Sequence, residues 1–458
     1  MRQSQVSELQ AVTSVRVSNR ALSAPKVLLT NTNRWPAPAR LAVGLARAGC
    51  AVSAVCPKQG HPILETRALR EAFPYDGFRP IESLAVAIEK AKPDLVIPCD
   101  DLSVQHLHAL HSRAVAEGAG GRDLAQLIER SLGSSESFST VSSRFNLLQI
   151  AKEEGVPVPA TERLDSLEDV RAMSSRMGLP FVLKADGTWG GRGVRFAETT
   201  AEAEQEFLEL TSPVRTKELL KQVIFNRDRS WFLAQKNHPR PSVVAQRCIG
   251  GRPANCAVFC WKGEILAGIS VEVISSDGVK GPAFIVRVVE GTEMMFAARQ
   301  IAGRLGLSGF FGLDFMIENG SGEVYLIEMN PRCTPLCHLQ LGNKHDLIGA
   351  LWAQVTGQPH RITPSLTERD MIAYFPQAWN SGSEFLNASY HDVPEGEPEL
   401  LNALLHPWPE RSLMGRLVDH LRKVSRRKSE PSACIFSDAL KTAPSRRAPA
   451  VAPSQVLP

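Results

Sequence analysis

The sequence predicts a mixed fold in which an N-terminal doubly wound parallel α/β domain precedes a longer α+β segment. Three observations lead to this prediction. Short apolar runs alternate with helical patterns near the N-terminus, a glycine-rich loop follows a strand-like run in mid-chain, and two later strand-like runs carry acidic residues. With 458 residues, the chain is too long for one simple core and suits two or three domains.

The first block contains three apolar, strand-like runs, Lys26–Thr30, Ala51–Cys56 and Asp94–Pro98. Helical patterns over Ala37–Gly49 and Glu82–Ala91 separate these runs. Strands that alternate with helices form parallel βαβ units with right-handed crossovers. We therefore predict a small doubly wound α/β domain in this part of the chain.

Changes in composition divide the chain into five parts. The predicted parts are a disordered leader (1–24), the α/β domain (25–122), the main α+β segment (142–360), a C-terminal extension (361–428) and a disordered tail rich in Pro, Ala and Ser (429–458). The extension ends in a basic stretch, 410–428, for which two interpretations stand. It is either a solvated terminal helix or a helix that rests weakly on an anionic membrane surface.

Composition favours an ordinary globular enzyme of the cytoplasm. Hydrophobic residues make up 43% of the chain, charged residues make up 22%, and a net charge of +4 gives no reason to expect a nucleic-acid partner. No apolar run reaches the roughly 20 residues that cross a bilayer, and the leader lacks the apolar core of a secretion signal. The nine cysteines are scattered, which favours buried thiols in a reducing compartment over a disulfide framework.

A strand-like run that ends in a lysine leads into a glycine-rich loop. The run is Phe181–Lys184, and the loop continues as Ala-Asp-Gly-Thr-Trp-Gly-Gly-Arg-Gly-Val. Glycines allow positive φ and let successive N–H groups point at a polyphosphate. A plain hairpin is the alternative, since the spacing matches neither the P-loop nor the dinucleotide pattern. The phosphate-binding candidates are Lys184 and the loop residues Gly187, Gly190, Gly191, Arg192 and Gly193.

A hairpin of two acidic strands is predicted over residues 312–330. The sequence Asn-Gly-Ser-Gly between the two runs is typical of a tight turn. A turn centred on its serine pairs Asp314 with Glu328 across the strands. The same register pairs Met316 with Leu326.

Two facing carboxylates repel each other unless a cation lies between them. The Cβ atoms of opposed residues in antiparallel strands are about 4.5–5.5 Å apart, and Mg²⁺ binds one or two carboxylates together with water and substrate phosphates. We therefore expect Asp314 and Glu328 to bind a divalent metal, with a solvent-facing acidic strand pair as the alternative. Asn330 and Arg332 follow at two-residue spacing on the same side, where the amide could complete the metal shell and the guanidinium could hold a phosphate or carboxylate.

Together, these residues resemble the ATP-grasp superfamily, in particular biotin carboxylase and the large subunit of carbamoyl phosphate synthase. The loop from Lys184 to Val194 resembles the lysine and Gly-Gly-Arg-Gly flap of that family. The runs Leu313–Phe315 and Tyr325–Arg332 resemble its metal-binding strands. The resemblance spans about residues 142–355 and implies two α+β lobes with ATP between them, preceded by an α/β domain.

The resemblance also implies roles for single residues. Lys184 would contact the phosphates of ATP beneath the flap, and Arg287 and Arg332 would meet the substrate beside Asn330. The adenine would lie against a hinge strand formed by Gln246, Arg247, Cys248 and Ile249. The metal would be Mg²⁺ (or Mn²⁺), with two ions expected on Asp314, Glu328 and Asn330.

The sequence departs from the family pattern at three places. Arg144 stands where the family usually has a phosphate-binding lysine, and the two cations differ in geometry. The run Gly250–Asn255 lacks the acid expected to hold the ribose hydroxyls, and Cys333–His338 lacks the catalytic acid of the carboxylase. A biotin-carrier segment, a glutaminase and a second ATP-grasp half are missing from the sequence, so biotin carboxylation and carbamoyl phosphate synthesis are disfavoured.

The predicted function is ATP-dependent ligation. A small-molecule carboxylate would be phosphorylated to an acylphosphate, and an amine or another nucleophile would then capture it, with release of ADP and phosphate. A nucleotide-binding sensor that has lost catalysis is the main alternative. An NAD-dependent enzyme is a weaker one, because no glycine fingerprint follows the first strand.

Overall fold

The computed structural model describes residues 24–58, 60–187, 193–212, 241–278, 281–342, 345–359 and 364–406. The predicted leader up to residue 23, the basic stretch and the tail lie outside these ranges. So do Gly190, Gly191 and Arg192 of the predicted flap. The described residues form three sheets, one parallel, one small and antiparallel, and one large and mostly antiparallel.

Four parallel strands form the first sheet, in the order β3-β2-β1-β4. Their bounds are β1 Lys26–Thr30, β2 Ala51–Cys56, β3 Leu69–Pro74 and β4 Leu95–Pro98. The accompanying helices are α1 Ala37–Arg47, α2 Pro80–Ala91, α3 Asp101–Ala116 and α4 Arg122–Leu132. The strand order reverses between β1 and β4, so their carboxyl ends form the switch point at which α/β sheets bind ligands.

Alternating side chains along β1 explain why helices cover both faces of this sheet. Val27 and Leu29 are buried in a cluster that includes α1, whereas Leu28 is buried in a cluster that includes α2, α3 and α4. The predicted doubly wound α/β arrangement is therefore confirmed. The sequence did not reveal β3, because only Phe73 among its six residues is buried and no apolar run marks it.

The small antiparallel sheet has the order β5-β8-β6-β7. Its strands are β5 Thr161–Leu164, β6 Phe181–Ala185, β7 Val194–Ala197 and β8 Val243–Arg247. The helices in this stretch are α5 Phe138–Val141, α6 Arg144–Glu153, α7 Leu167–Met177 and α8 Thr200–Thr211. Met173 of α7 and Phe207 of α8 are buried against Phe181 and Val243, so this lobe has a core of its own.

Seven strands form the large sheet, in the order β13-β12-β9-β10-β11-β14-β15. Their bounds are β9 Gly251–Trp261, β10 Glu264–Ser276, β11 Ala283–Val289, β12 Gly309–Glu318, β13 Val324–Asn330, β14 Met371–Tyr374 and β15 Tyr390–Asp392. The helices in this stretch are α9 Thr292–Leu305, α10 Leu347–Thr356 and α11 Pro398–Leu405. Only β14 and β15 run parallel to each other.

The two faces of the large sheet join different parts of the molecule. On one face, Phe311 and Leu313 are buried with α6 and α9. On the other face, Phe259 and Val271 share a cluster with α1, α10 and the first sheet. Because the first sheet and the large sheet share one core, the N-terminal domain is held firmly beside the acidic hairpin.

Two further observations concern the described part of the chain. None of its helices combines the length and the apolar character that a bilayer crossing requires. Seven of its eight cysteines are buried, and all eight are free thiols. The prediction of packed thiols is confirmed for these residues.

A tight backbone contact joins Gly133, the residue after α4, to the connection between α9 and β12. Gly133 has a φ of +105° and forms a bridge with Leu307. The next residue, Ser134, donates its N–H to the carbonyl oxygen of Gly306 at 3.1 Å. A Cβ at Gly133 would lie 2.4 Å from that oxygen, and backbone cannot yield as a flexible side chain would.

We expect Gly133→Ala to lower the free energy of unfolding by about 2–4 kcal/mol, because it adds both a backbone clash and a disfavoured φ. Denaturant titration measures this value. Gly178→Ala is the matched control, since its φ of +75° and ψ of 176° place it in the same backbone region as Gly133, with a ψ of −162°, but a Cβ there has nothing within 4 Å. The control isolates the cost of this backbone conformation, about 1–3 kcal/mol. Equal losses in the two variants would show that the contact at Gly133 does not constrain the fold.

Candidate functional site

The two predicted carboxylates meet across the hairpin of β12 and β13. Asp314 pairs with Glu328, as predicted, and pairs on its other side with Asn255 of β9. Asn330 lies opposite Gly312 and donates from Nδ2 to Oδ2 of Asp314 at 2.8 Å. Residues paired across strands share a face, so these oxygen-bearing side chains are grouped on one side of the sheet.

The predicted pairing of Met316 with Leu326 is wrong, because β13 contains a bulge. Between the turn and the bulge the register is shifted by one residue, and Met316 pairs with Tyr325. The extra residue is Ile327, which has no partner in the ladder. Its carbonyl oxygen instead accepts a hydrogen bond from Nζ of Lys184 at 3.1 Å. The bulge thus connects the hairpin to the small sheet.

Two cations approach Glu328 from outside the hairpin. Lys184 lies near the end of β6 and is 6% exposed. Arg144 is the first residue of α6, whose N-terminus Ser143 caps. The Nη2 atom of Arg144 donates to Oε1 of Glu328 at 2.8 Å, and its Nη1 atom lies 3.6 Å from Oδ1 of Asp186. One acid of the hairpin and one acid of the small sheet therefore share the same guanidinium.

The surroundings separate the pKa values of the two hairpin acids. Burial, together with the charge of Glu328, raises the pKa of Asp314 to about 6. Burial also opposes ionisation of Glu328, but the charges of Arg144 and Lys184 outweigh it and hold the pKa of Glu328 below its ordinary value. Burial lowers the pKa of Lys184. Glu328 is therefore firmly ionised, whereas Asp314 takes up a proton only slightly below neutral pH.

Arg332 connects this cluster to the N-terminal domain. Its Nε atom donates to Oδ2 of Asp101 at 3.1 Å, and its Nη2 atom donates to Oδ1 of Asn330 at 3.0 Å. Burial lowers the pKa of Arg332, but the charge of Asp101 outweighs this effect and keeps the pKa above its ordinary value. Arg332 is thus a fixed positive charge beside the metal candidates.

The predicted hinge residues lie at the end of β8. Gln246 is buried and donates from Nε2 to Oγ1 of Thr161 at 3.3 Å. The N–H of Arg247 donates to the carbonyl of Ala160, and the guanidinium of Arg247 lies 5.6 Å from the centre of the Tyr325 ring.

Two more hinge candidates complete the connection between β8 and β9. Cys248 is half-buried, and desolvation raises the pKa of its thiol. Ile249 is buried. The adenine contact itself stays a prediction.

The two described ends of the predicted flap lie close together. Gly187 has a φ of +71°, and a Cβ there would have nothing within 4 Å. The N–H of Ala185 donates to the carbonyl of Gly193 at 3.0 Å. Both described ends therefore lie beside Lys184, which pairs with Val194 in the small sheet.

Arg287 is not brought into this cluster. In the large sheet, Arg287 of β11 pairs with Glu272 of β10, and Glu272 pairs with Ala254 of β9. Asp314 of β12 instead pairs with Asn255, the next residue of β9. Side chains alternate between faces along a strand, so Arg287 starts from the face opposite Asp314. Its Nε atom lies 3.4 Å from Oδ2 of Asp370, and both side chains are largely exposed. A substrate contact by Arg287 stays a prediction with no support from its neighbours.

A cavity of about 70 Å³ lies where the three sheets meet. Four charged residues lie in its wall. Asp101 comes from the N-terminal domain and Arg144 from α6. Asp186 comes from the small sheet and Glu328 from the hairpin. Sequence reasoning did not find Asp101 or Asp186. Asp101 follows the carboxyl end of β4 at the switch point of a parallel sheet, which is a usable signal.

The donor chemistry of the hairpin suits a hard divalent cation. Asp314, Glu328 and Asn330 offer carboxylate and amide oxygens, the ligands that Mg²⁺ and Mn²⁺ favour. In the described ranges, no group of three or more His, Cys, Asp or Glu side chains could hold a metal ion by itself. A site with two carboxylates fits a metal that takes its remaining ligands from phosphates and water.

Comparison with known proteins supports the resemblance. Residues 143–336 match the family model described as the carbamoyl-phosphate synthase L chain, ATP binding domain. The arginine-specific large chain of carbamoyl phosphate synthase from Geobacillus stearothermophilus is 23% identical over 257 residues. That match covers 55% of this chain but 22% of the relative, so the chain spans less than a quarter of that protein.

Solved structures show the same fold. Biotin carboxylase from Campylobacter jejuni is 17% identical, with a TM-score of 0.53, and the match covers 75% of this chain and 73% of the other. Carboxyaminoimidazole ribonucleotide synthase from Aspergillus clavatus, solved with ATP, is 15% identical, with a TM-score of 0.52 and coverage of 75% and 79%.

A shorter match lies within another ligase. Phosphoribosylamine–glycine ligase from a Synechocystis strain is 40% identical over 62 residues, which are 14% of this chain and 15% of that protein. The family match over residues 143–336 and the common fold confirm the resemblance to the ATP-grasp superfamily.

Proposed function

We propose that this protein is an ATP- and Mg²⁺-dependent ligase that activates a carboxylate as an acylphosphate and joins it to an amine or another nucleophile. The observation that carries the proposal is the pair Asp314–Glu328, directly opposed across the hairpin and in reach of three cations. An acidic pair built only for solubility has no need of Lys184, Arg144 and Arg332 around it.

In the proposed arrangement, residues of different lobes bind the metal, the phosphates and the adenine. Bound Mg²⁺ (or Mn²⁺), in one or two ions, would neutralise charge on the transferring phosphoryl group. Asp314, Glu328 and Asn330 would hold it. Lys184 and Arg144 would bind the phosphates, and Gln246 to Ile249 would bind the adenine. The loop between Gly187 and Gly193 would exclude water that otherwise hydrolyses the intermediate.

The proposed chemistry has two steps. An oxygen of the carboxylate forms a bond with the γ-phosphorus of ATP as the bond to the bridging oxygen breaks, and ADP leaves. The amine nitrogen then bonds to the acyl carbon, phosphate leaves, and the nitrogen releases its proton to solvent. Arg332 would stabilise the negative charge that passes through both steps, because its guanidinium remains charged at any working pH. The names of the relatives support ligation in general.

An inactive nucleotide-binding protein of the same fold is the alternative. One observation favours it, namely that Arg144 is already bound to Glu328 and Asp186. The intact metal hairpin argues against it, because a protein that only senses nucleotide does not need two opposed metal carboxylates.

We expect ADP, not AMP, when the protein is incubated with Mg²⁺-ATP and pooled carboxylates and amines, because phosphoryl transfer releases ADP. Chromatography resolves the two nucleotides. Glu328→Gln should reduce the rate about 10²–10³-fold, since it removes a charged metal ligand. Glu323→Gln on the same hairpin is exposed and should change little. AMP formation would refute acylphosphate chemistry, and ATP binding without product would favour the sensor.

We expect the affinity for Mn²⁺ to fall as the pH drops below about 6, because protons then compete with the metal for Asp314. The raised pKa means that Asp314 binds its proton at a pH where an ordinary aspartate is still ionised. One pH unit below that value, the affinity should be lower by about tenfold. Electron paramagnetic resonance of free Mn²⁺ between pH 5 and 7.5 gives the dissociation constant. An affinity that stays constant down to pH 5 would contradict this prediction.

We expect Arg144→Gln to bind Mn²⁺ about 3–10-fold more tightly than wild type without nucleotide, because a competing cation leaves Glu328. With ATP present, the same variant should show a KM for ATP about tenfold higher, because the guanidinium no longer binds phosphate. Arg163→Gln, on the exposed outer side of β5, should match wild type in both assays. A variant that loses affinity for Mn²⁺ without nucleotide would show that Arg144 does not compete with the metal.

A further inference from the structure

The guanidinium of Arg332 is held by three protein acceptors. Nε donates to Oδ2 of Asp101 at 3.1 Å, Nη1 donates to the carbonyl of Cys333 at 3.2 Å, and Nη2 donates to Oδ1 of Asn330 at 3.0 Å. A guanidinium has five N–H donors in a rigid plane. Three of them are used by described residues, and the geometry of the plane then fixes where the other two point.

The first of these acceptors belongs to the N-terminal domain. Asp101 begins α3, three residues after the last residue of β4, and the preceding Asp100 caps that helix by accepting from the N–H of Ser103 at 2.8 Å. The N–H of Cys333 donates to the carbonyl of Pro98 at 3.1 Å. The segment that carries Arg332 is therefore bonded twice to the carboxyl end of β4, once through its backbone and once through Asp101.

The second acceptor, Asn330, extends this hydrogen-bond network to the hairpin. Asn330 accepts from Arg332 through Oδ1 and donates through Nδ2 to Oδ2 of Asp314 at 2.8 Å. A reversed amide would place its NH₂ against the guanidinium and its oxygen against the carboxylate, and both contacts would be repulsive. Arg332 thus determines which end of the Asn330 amide faces the metal candidates.

We propose that Asp101 is a positioning residue for the metal site, acting through Arg332 and Asn330 on Asp314. This inference rests on the proposed function only in taking Asp314 as a metal ligand. Asp101 does not touch the metal, and its role is to hold the guanidinium so that Asn330 keeps one orientation. The N-terminal domain thereby takes part in organising the ATP-grasp site.

An ordinary stabilising ion pair is the competing explanation, and it makes a different prediction. Asp101 and Arg332 are 28% and 19% exposed, and a pair so close to solvent contributes roughly 0–1 kcal/mol to stability. Such a pair would leave the affinity for metal unchanged. A residue that orients the ligands of a metal site typically changes that affinity by about 10–100-fold when it is removed.

The test is the dissociation constant of Mn²⁺, measured by electron paramagnetic resonance in the presence of a non-hydrolysable ATP analogue. We expect Asp101→Ala to weaken binding about tenfold and Asp101→Asn to weaken it less, because an amide oxygen can still accept from Nε. Asp123→Ala is the matched control: an exposed aspartate in the first turn of α4 that should have no effect. Unchanged affinity in Asp101→Ala would overturn the proposal.

A double-mutant cycle with Arg332→Met separates positioning from a direct effect. If Asp101 acts through Arg332, then Asp101→Ala changes nothing further once Arg332→Met is present. Independent, additive losses would overturn the proposal.

A wild-type protein that binds no Mn²⁺ would defeat the proposed function. The positioning role can then still be tested by the rate of amide hydrogen exchange in residues 331–337, the segment that carries Arg332. In that case Asp101→Ala should still accelerate exchange in this segment, whereas exchange equal to that of wild type would defeat the positioning role as well.

Discussion

The opposition of two carboxylates, Asp314 and Glu328, is the constraint on which the rest of the site depends. At a separation of about 5 Å, two unit charges repel by about 3 kcal/mol at the effective dielectric of a protein surface. The bulge at Ile327 creates this opposition, because the register next to the turn would otherwise place Glu328 beside Leu313, on the apolar face. The chain therefore departs from regular pairing in order to bring like charges together.

The surrounding architecture supplies the positive charge that such a pair needs. Lys184 comes from the small sheet, Arg144 from the start of α6, and Arg332 from the segment that returns to the N-terminal domain. Three separate parts of the fold thus converge on one hairpin. The shared core of the first sheet and the large sheet explains why Arg332 can be held from both sides.

Motif-level reasoning could predict the fold class and the acidic pair, but not the geometry between elements. The predicted pairing of Asp314 with Glu328 is correct, although the predicted centre of the turn is half a residue off. The bulge shifts the register by one residue beyond Phe315, and this shift compensates for the error. Apolar runs do not reveal a bulge. Asp101 and Asp186 belong to other elements, so no local pattern connects them to the hairpin. Arg287 was chosen by resemblance alone, whereas the register that puts it on the opposite face depends on three successive strand pairings.

The ion pair between Arg144 and Glu328 has a consequence for the order of binding. In this state the guanidinium that should bind phosphate neutralises the carboxylate that should bind metal. Under the proposed function, metal alone would have to displace a bound cation, and nucleotide alone would have to draw Arg144 away from the half-buried carboxylate of Glu328. With both present, the metal would take the place of Arg144 on Glu328, and the guanidinium would be available to the phosphates. A site of this kind would bind the metal–nucleotide complex in preference to either component, because position 144 carries a cation.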